Sequence, residues 1–119
     1  MAISSFTQLD VWKLAHQSAL DVYRWTKEFP SDERFGLVSQ MRKAAVSIAA
    51  NIAEGIGRRQ PRDKMRFYNM SQGSLEELRY FIIPARDLAY APAPETLHDA
   101  LREIGAKLNR LVSSVSRDV

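Results

Sequence analysis

The chain of 119 residues carries two histidines, no cysteine and one concentrated run of basic side chains, and these set the chemistry open to it. Without cysteine there is no disulfide, no thiol nucleophile and no thiolate metal site. His16 and His98 have no histidine four residues away and no Glu-x-x-His pairing of the kind that gathers metal in helical bundles. Neither therefore has metal-ligand spacing. Asn51 and Glu54 are a polar pair one helical turn apart, but no serine–histidine or lysine–carboxylate arrangement accompanies them. Read without chemistry, they are a hydrogen-bonding pair at a packing surface. The glycines of "GIGRRQ" lack the third glycine and the preceding strand of a dinucleotide fingerprint, and no Gly-Lys-Ser/Thr comes after them to make a P-loop. No nucleophile–base pair emerges, so the expectation is a protein that is not an enzyme and uses no metal and no cofactor.

What remains is charge. Residues 58–66 hold Arg58, Arg59, Arg62, Lys64 and Arg66 against the single acid Asp63. The whole chain has a net charge of +3 and a pI near 9.4, so this one segment outweighs the total. Acids and bases cancel over residues 1–57. A local patch of this kind attracts phosphate groups. Its plainer alternative is a solvated basic turn.

The elements that must hold this segment are all helical. Val11, Leu14, Ala15, Ser18, Val22, Trp25 and Phe29 recur at steps of three and four, the period of an amphipathic helix. Phe29-Pro30 breaks it, and Ser31 or Asp32 is placed to cap the next helix. That second helix is expected from about Phe35 to Gly57, with Leu37, Met41, Ala44, Ala45, Ile48, Ile52 and Ile56 on one stripe. Gln40, Lys43, Ser47, Asn51, Glu54 and Arg58 fall on a second, polar strip, with Glu54 and Arg58 in the favourable i,i+4 order. Gly57 suits a left-handed helix terminator, and Gly55 a close contact with a neighbouring helix.

The third helix is expected from Pro61, because proline lacks an N–H that would have no partner there, to about Tyr90. Met65, Tyr68, Leu75, Leu78, Ile82 and Ala85 are its core candidates. Pro84 should kink or break it. Gly73, between Ser71 and Ser74 and beside Glu76 and Glu77, costs about 1 kcal/mol in a helix interior, which argues for a close neighbour. After "APAP", Leu97, Leu101, Ile104, Leu108, Leu111 and Val115 alternate steps of four and three, the spacing of helices packed side by side. The prediction is an all-α, antiparallel up-down four-helix bundle formed by one domain over residues 1–119. The N-terminus has no signal-peptide pattern, and the longest apolar run is about half a membrane span and interrupted by Ser and Asn. A soluble intracellular protein with no membrane partner is expected.

The segment from Gln40 to Leu78 resembles a family of small bacterial four-helix bundle proteins named for reading frames inside intervening sequences of large-subunit rRNA genes. The accessory bundle protein of diversity-generating retroelements is a relative. The matching elements are Gln40, Arg42, Ala44-Ala45, Ser47-Ile48, Asn51-Ile52-Ala53-Glu54-Gly55, Gly57-Arg58, Asp63, Arg66-Phe67, Gly73-Ser74 and Glu77, and the likeness extends from about Phe6 to Tyr90. Three positions depart from it: Gln60 stands where Ser or Thr is usual, Lys64 where an aromatic is common, and Pro84 is not a family feature. The resemblance implies a cytoplasmic bundle, a homopentamer around a central channel, no known enzyme activity and, in the retroelement relative, nucleic-acid binding beside a reverse transcriptase.

Two functions compete. The first is an oligomeric accessory protein that binds RNA or DNA without reading sequence, through Arg58, Arg59, Arg62, Lys64 and Arg66. Five copies around an axis would turn a modest patch into a strong field. The second is an interaction or scaffold module in which the same residues serve the subunit interface. Gln40, Arg42, Ser47, Asn51, Glu54, Gly73, Ser74 and Glu77 are the structural or interface candidates in both.

Overall fold

The computed structural model describes residues 5–119. Four helices carry the chain: α1 Asp10–Thr26, α2 Leu37–Gly57, α3 Pro61–Asp87 and α4 Glu95–Ser116. Short 3₁₀ turns at Phe6–Gln8 and Ser31–Glu33 lead into the first two. Helix α2 packs on α1 and α3, and α4 on α3 and α1, with no diagonal pairing among the described residues. This cyclic order is what short connections impose on an antiparallel bundle. The molecule measures 45 × 23 × 20 Å. Its long dimension is set by α3, whose 27 residues rise about 40 Å.

The expected stripes form the core. Val11, Ala15, Val22, Trp25, Met41, Ala44, Ala45, Ile48, Ile52, Leu75, Leu78, Ile82, Leu97, Leu101, Ile104 and Leu108 are buried together. Leu14, Ile56, Met65, Leu111 and Val115 are only partly covered. The α2–α3 pair is the most extensive contact in the bundle, and its alanines explain why. Small side chains let the two axes approach, and Ser71 Oγ then reaches across to donate to the Ile48 carbonyl at 2.8 Å.

Helix ends differ from expectation in three places. Helix α2 starts at Leu37, leaving Phe35 88% exposed, and neither Ser31 nor Asp32 caps it. Glu33 does: its Oε1 accepts from the Leu37 N–H at 3.2 Å, a carboxylate at the positive end of a helix. Helix α3 continues through Pro84 and ends within one turn of it, at Asp87 rather than at about Tyr90. Ala89 has φ 55, and Tyr90 N donates to Ala85 O at 3.1 Å while Ala89 N donates to Arg86 O at 3.0 Å. These two bonds are the Schellman termination, with alanine in the left-handed position that glycine usually fills. Gly57 is not left-handed, since no described glycine has a positive φ.

The two ends of the bundle have different chemistry. Where α1 and α3 end, the rings of Trp25 and Phe29 meet at 5.1 Å and those of Phe29 and Tyr90 at 5.4 Å. Trp25 Nε1 donates to the Ala91 carbonyl at 3.2 Å, and the Tyr90 hydroxyl donates to Glu33 Oε2. The other end holds the α2–α3 turn and its arginines.

Candidate nucleic-acid interface

The turn between α2 and α3 is short because both helices are cut cleanly. Arg58 leaves α2 in an extended conformation, and its N–H still donates to Gly55 O at 3.2 Å. Pro61 opens α3 at its first position, and Gln60 at the N-cap makes no side-chain capping bond. Asp63, in the first turn of α3, complements the positive helix end. Gly55 lets α3 close against the turn. A Cβ on Gly55 would lie 2.4 Å from Cε1 of the buried Tyr68 ring.

The five basic residues do not act alike. Lys64 is turned inward: its Nζ donates to Gly55 O at 3.2 Å and Ile56 O at 3.1 Å, closing the carbonyl end of α2. Burial holds its ammonium below the ordinary lysine range. Lys64 therefore caps a helix rather than facing a ligand, and the turn loses one of its expected phosphate contacts. Arg58 pairs with Glu54 at 3.1 Å and lies over the Phe67 ring at 4.7 Å. Arg66 lies over the same ring at 4.6 Å. Arg59, Arg62 and Arg66 are exposed, and none has a carboxylate in ion-pair range among the described residues.

Phe67 is the residue of this corner that charge counting missed. Two guanidiniums lie in cation–π contact with its ring. The signal for it in the sequence was an aromatic directly after Arg66 and nine residues after Arg58. Planar guanidiniums placed in this way present paired N–H donors that match phosphate oxygens.

The structural candidates divide into three groups. Ser47, Asn51 and Ser74 are brought together. Asn51 Nδ2 donates to both the Ser47 carbonyl and Oγ at 2.9 Å, and Ser74 Oγ bonds Ser47 Oγ at 2.8 Å. Arg42 stands apart, near the aromatic end. Its Nε donates to Thr26 Oγ1 at 2.9 Å, one arm reaches Tyr23 O at 3.3 Å, and the guanidinium lies 4.6 Å from the Tyr23 ring centre. It ties α2 to the last turn of α1, where a cation is favoured. Gln40, Gly73 and Glu77 lie on the outside. Nothing stands within 4 Å of a Cβ on Gly73, so packing within the chain does not account for that glycine.

Among the described residues, no three histidines or carboxylates gather at metal-binding distance, and no helix is long and apolar enough to cross a membrane. No curated protein matches the chain. Residues 7–110 match the family model for 23S rRNA-intervening sequence proteins, which covers the first three helices, α4 as far as Arg110 and the whole basic turn. The chain belongs to the 23S rRNA-intervening sequence protein family.

Proposed function

We propose that this protein is a non-enzymatic accessory protein that binds RNA through the α2–α3 turn. The observation that carries the reading is the arrangement of Arg58 and Arg66 on Phe67 with Arg59 and Arg62 unpaired beside them. Four guanidiniums at one corner, with no acid but Glu54 and Asp63 near them in sequence, make a surface for phosphate oxygens. No helix is placed to read base edges, so recognition is by backbone and shape. The family's link to rRNA intervening sequences is compatible with an RNA partner.

The protein acts in this reading as a homo-oligomer, a pentamer by the resemblance. Support comes from the outer face of α3. Met70 and Tyr80 are each about half exposed or more, and Gly73 leaves a flat place between them with no neighbour in its own chain. A helix that exposes this much apolar surface and keeps an unneeded glycine is suited to a second copy. The same observation favours the scaffold reading, in which the arginines serve contacts between subunits.

The experiment is fluorescence anisotropy of a structured RNA across a salt series, with light scattering of the same samples. Arg59→Ala/Arg62→Ala should lower the slope of log affinity against log salt by about 1.5–2 for each bound subunit. The oligomeric mass should be unchanged. No binding at low salt, or an unchanged slope, would overturn RNA binding at this corner. A loss of mass in the double variant would transfer the arginines to the subunit interface.

A further inference from the structure

A second basic site lies on the other half of the molecule. Between the C-terminal half of α3 and the start of α4 is a cleft of about 380 Å³, lined by Arg79, Arg86, His98 and Arg102 over Ile83 and Leu101. The spacing explains the convergence. Arg79 and Arg86 are seven apart on α3, and His98 and Arg102 four apart on α4, so each pair lies on one helix face and the two faces meet. No carboxylate lines the cleft. The nearest acids act from outside it: Glu76 pairs with Arg79 at 3.2 Å and Asp99 with Arg102 at 3.2 Å. Glu76 and the Asp99–Arg102 pair are largely exposed, and ion pairs open to solvent in this way are weak enough to yield to a better anion. The side chains of Arg86 and His98 have no hydrogen-bond or ion-pair partner among the described residues. Arg79 is the fixed member, since its second arm donates to the Leu101 carbonyl at 3.3 Å.

We propose that this cleft binds a nucleoside 5′-monophosphate group, with the phosphate held by Arg86, Arg102 and His98 and the base on Ile83. Three features select this ligand class. Converging arginines from two helices match phosphate oxygens in paired N–H···O geometry. Ile83, 52% exposed, gives the cleft an aliphatic wall that suits an apolar or aromatic body on the anion. The volume is at the small end of ligand pockets and admits one nucleotide. The group has two possible sources, a free mononucleotide or the 5′-phosphorylated end of a strand. The site stands independently of the α2–α3 turn. Arg62 and Arg86 are 24 residues apart on the same helix, about 36 Å along its axis.

The test is calorimetric titration of the whole protein with adenosine 5′-monophosphate at low salt. Inorganic phosphate and adenosine are run beside it, and Arg86→Gln, Arg102→Gln and Arg62→Gln are compared. Saturable binding of the nucleotide is expected. Arg86→Gln and Arg102→Gln should each weaken it about tenfold, with Arg62→Gln unchanged. Arg86 and Arg102 are exposed, so circular dichroism should report an intact bundle in both variants. Displacement of the nucleotide by a 5′-phosphorylated oligoribonucleotide, and not by its 5′-hydroxyl form, assigns the strand end. Retention against both assigns the free nucleotide. The proposal is overturned by three results: no saturable binding up to about 5 mM, adenosine binding as tightly as its phosphate, or loss of binding in Arg62→Gln with the cleft variants unaffected. Because Arg62 belongs to the turn, failure here leaves RNA binding at the turn untouched, and the reverse also holds.

Discussion

Replacing Gly55 by alanine sets two effects of opposite sign against each other. Helix propensity alone favours the change by about 1 kcal/mol, because Gly55 lies inside α2 with no special backbone angle. The packing opposes it. The new Cβ would stand 2.4 Å from Tyr68 Cε1, 2.7 Å from Cδ1 and 3.3 Å from Cζ. Ordinary carbon contacts lie near 3.5–4.0 Å, so the ring would have to move by about 1 Å. Tyr68 is only 2% exposed and cannot swing into solvent without leaving its pocket. Overpacking of this severity costs about 3 kcal/mol, and the net loss is about 2 kcal/mol. For a domain of this size that corresponds to a fall in Tm of roughly 8 °C. Thermal and urea unfolding followed by far-ultraviolet circular dichroism, at one protein concentration, measures it. Gly57→Ala is the control, because nothing lies within 4 Å of its Cβ, and it should be neutral or gain up to about 0.5 kcal/mol. Tyr68→Leu in the Gly55→Ala background should recover part of the loss, as a coupling of about 1–3 kcal/mol in a double-mutant cycle. A Gly55→Ala variant as stable as the parent, or more so, would refute the reasoning.

Other outcomes rest on single features. Ala89→Gly should raise stability by about 1 kcal/mol, since it relieves an L-residue of the left-handed conformation, and urea midpoints check it. Gln60→Ser should add about 0.5–1 kcal/mol by giving α3 the N-cap bond it lacks; an unchanged midpoint would mean the serine makes no such bond. The contact between Tyr90 and Glu33 makes stability depend on pH at both extremes. The Tyr90 hydroxyl, with the Leu37 N–H second, holds Glu33 below its ordinary 4.5, so its contribution is present above that value and lost as pH falls through the depressed one. The same bond raises Tyr90 above its ordinary 10.0, so that contribution is complete below pH 10.0 and lost as pH rises through the raised value. Tyr90→Phe should therefore be destabilising at neutral pH and lose its penalty in strong acid; a penalty independent of pH would show that the bond does not carry it.

The period of the apolar residues was enough to place all four helices, because a helix packed on one side must repeat its buried positions every three or four residues. The start of α3 was legible at Pro61, whose missing N–H and fixed φ suit the first helical position. The Glu54–Arg58 pair was legible from its spacing. A family motif centred on Asn51 to Gly55 was also in the sequence, and the match over residues 7–110 bears it out. Gly55 was readable as a place of close approach, though not that Tyr68 is what approaches.

The fate of the long polar side chains was decided by the tertiary structure. Lys64 and Arg59 look alike in sequence. Lys64 meets the open carbonyls of Gly55 and Ile56 only because α3 turns back against the end of α2. Arg59 sits in the turn and finds no acceptor among the described residues. The cap of α2 fell to Glu33 rather than Ser31 or Asp32 because Tyr90, just past the end of α3, fixes that carboxylate. Arg79 and Arg86 meet His98 and Arg102 by the same logic, across a contact between two helices that no local pattern encodes. Helical periodicity sets the direction in which a residue leaves its own axis, and that is a local property. Which donor or acceptor waits there depends on the neighbouring helix, and only the packed bundle supplies it.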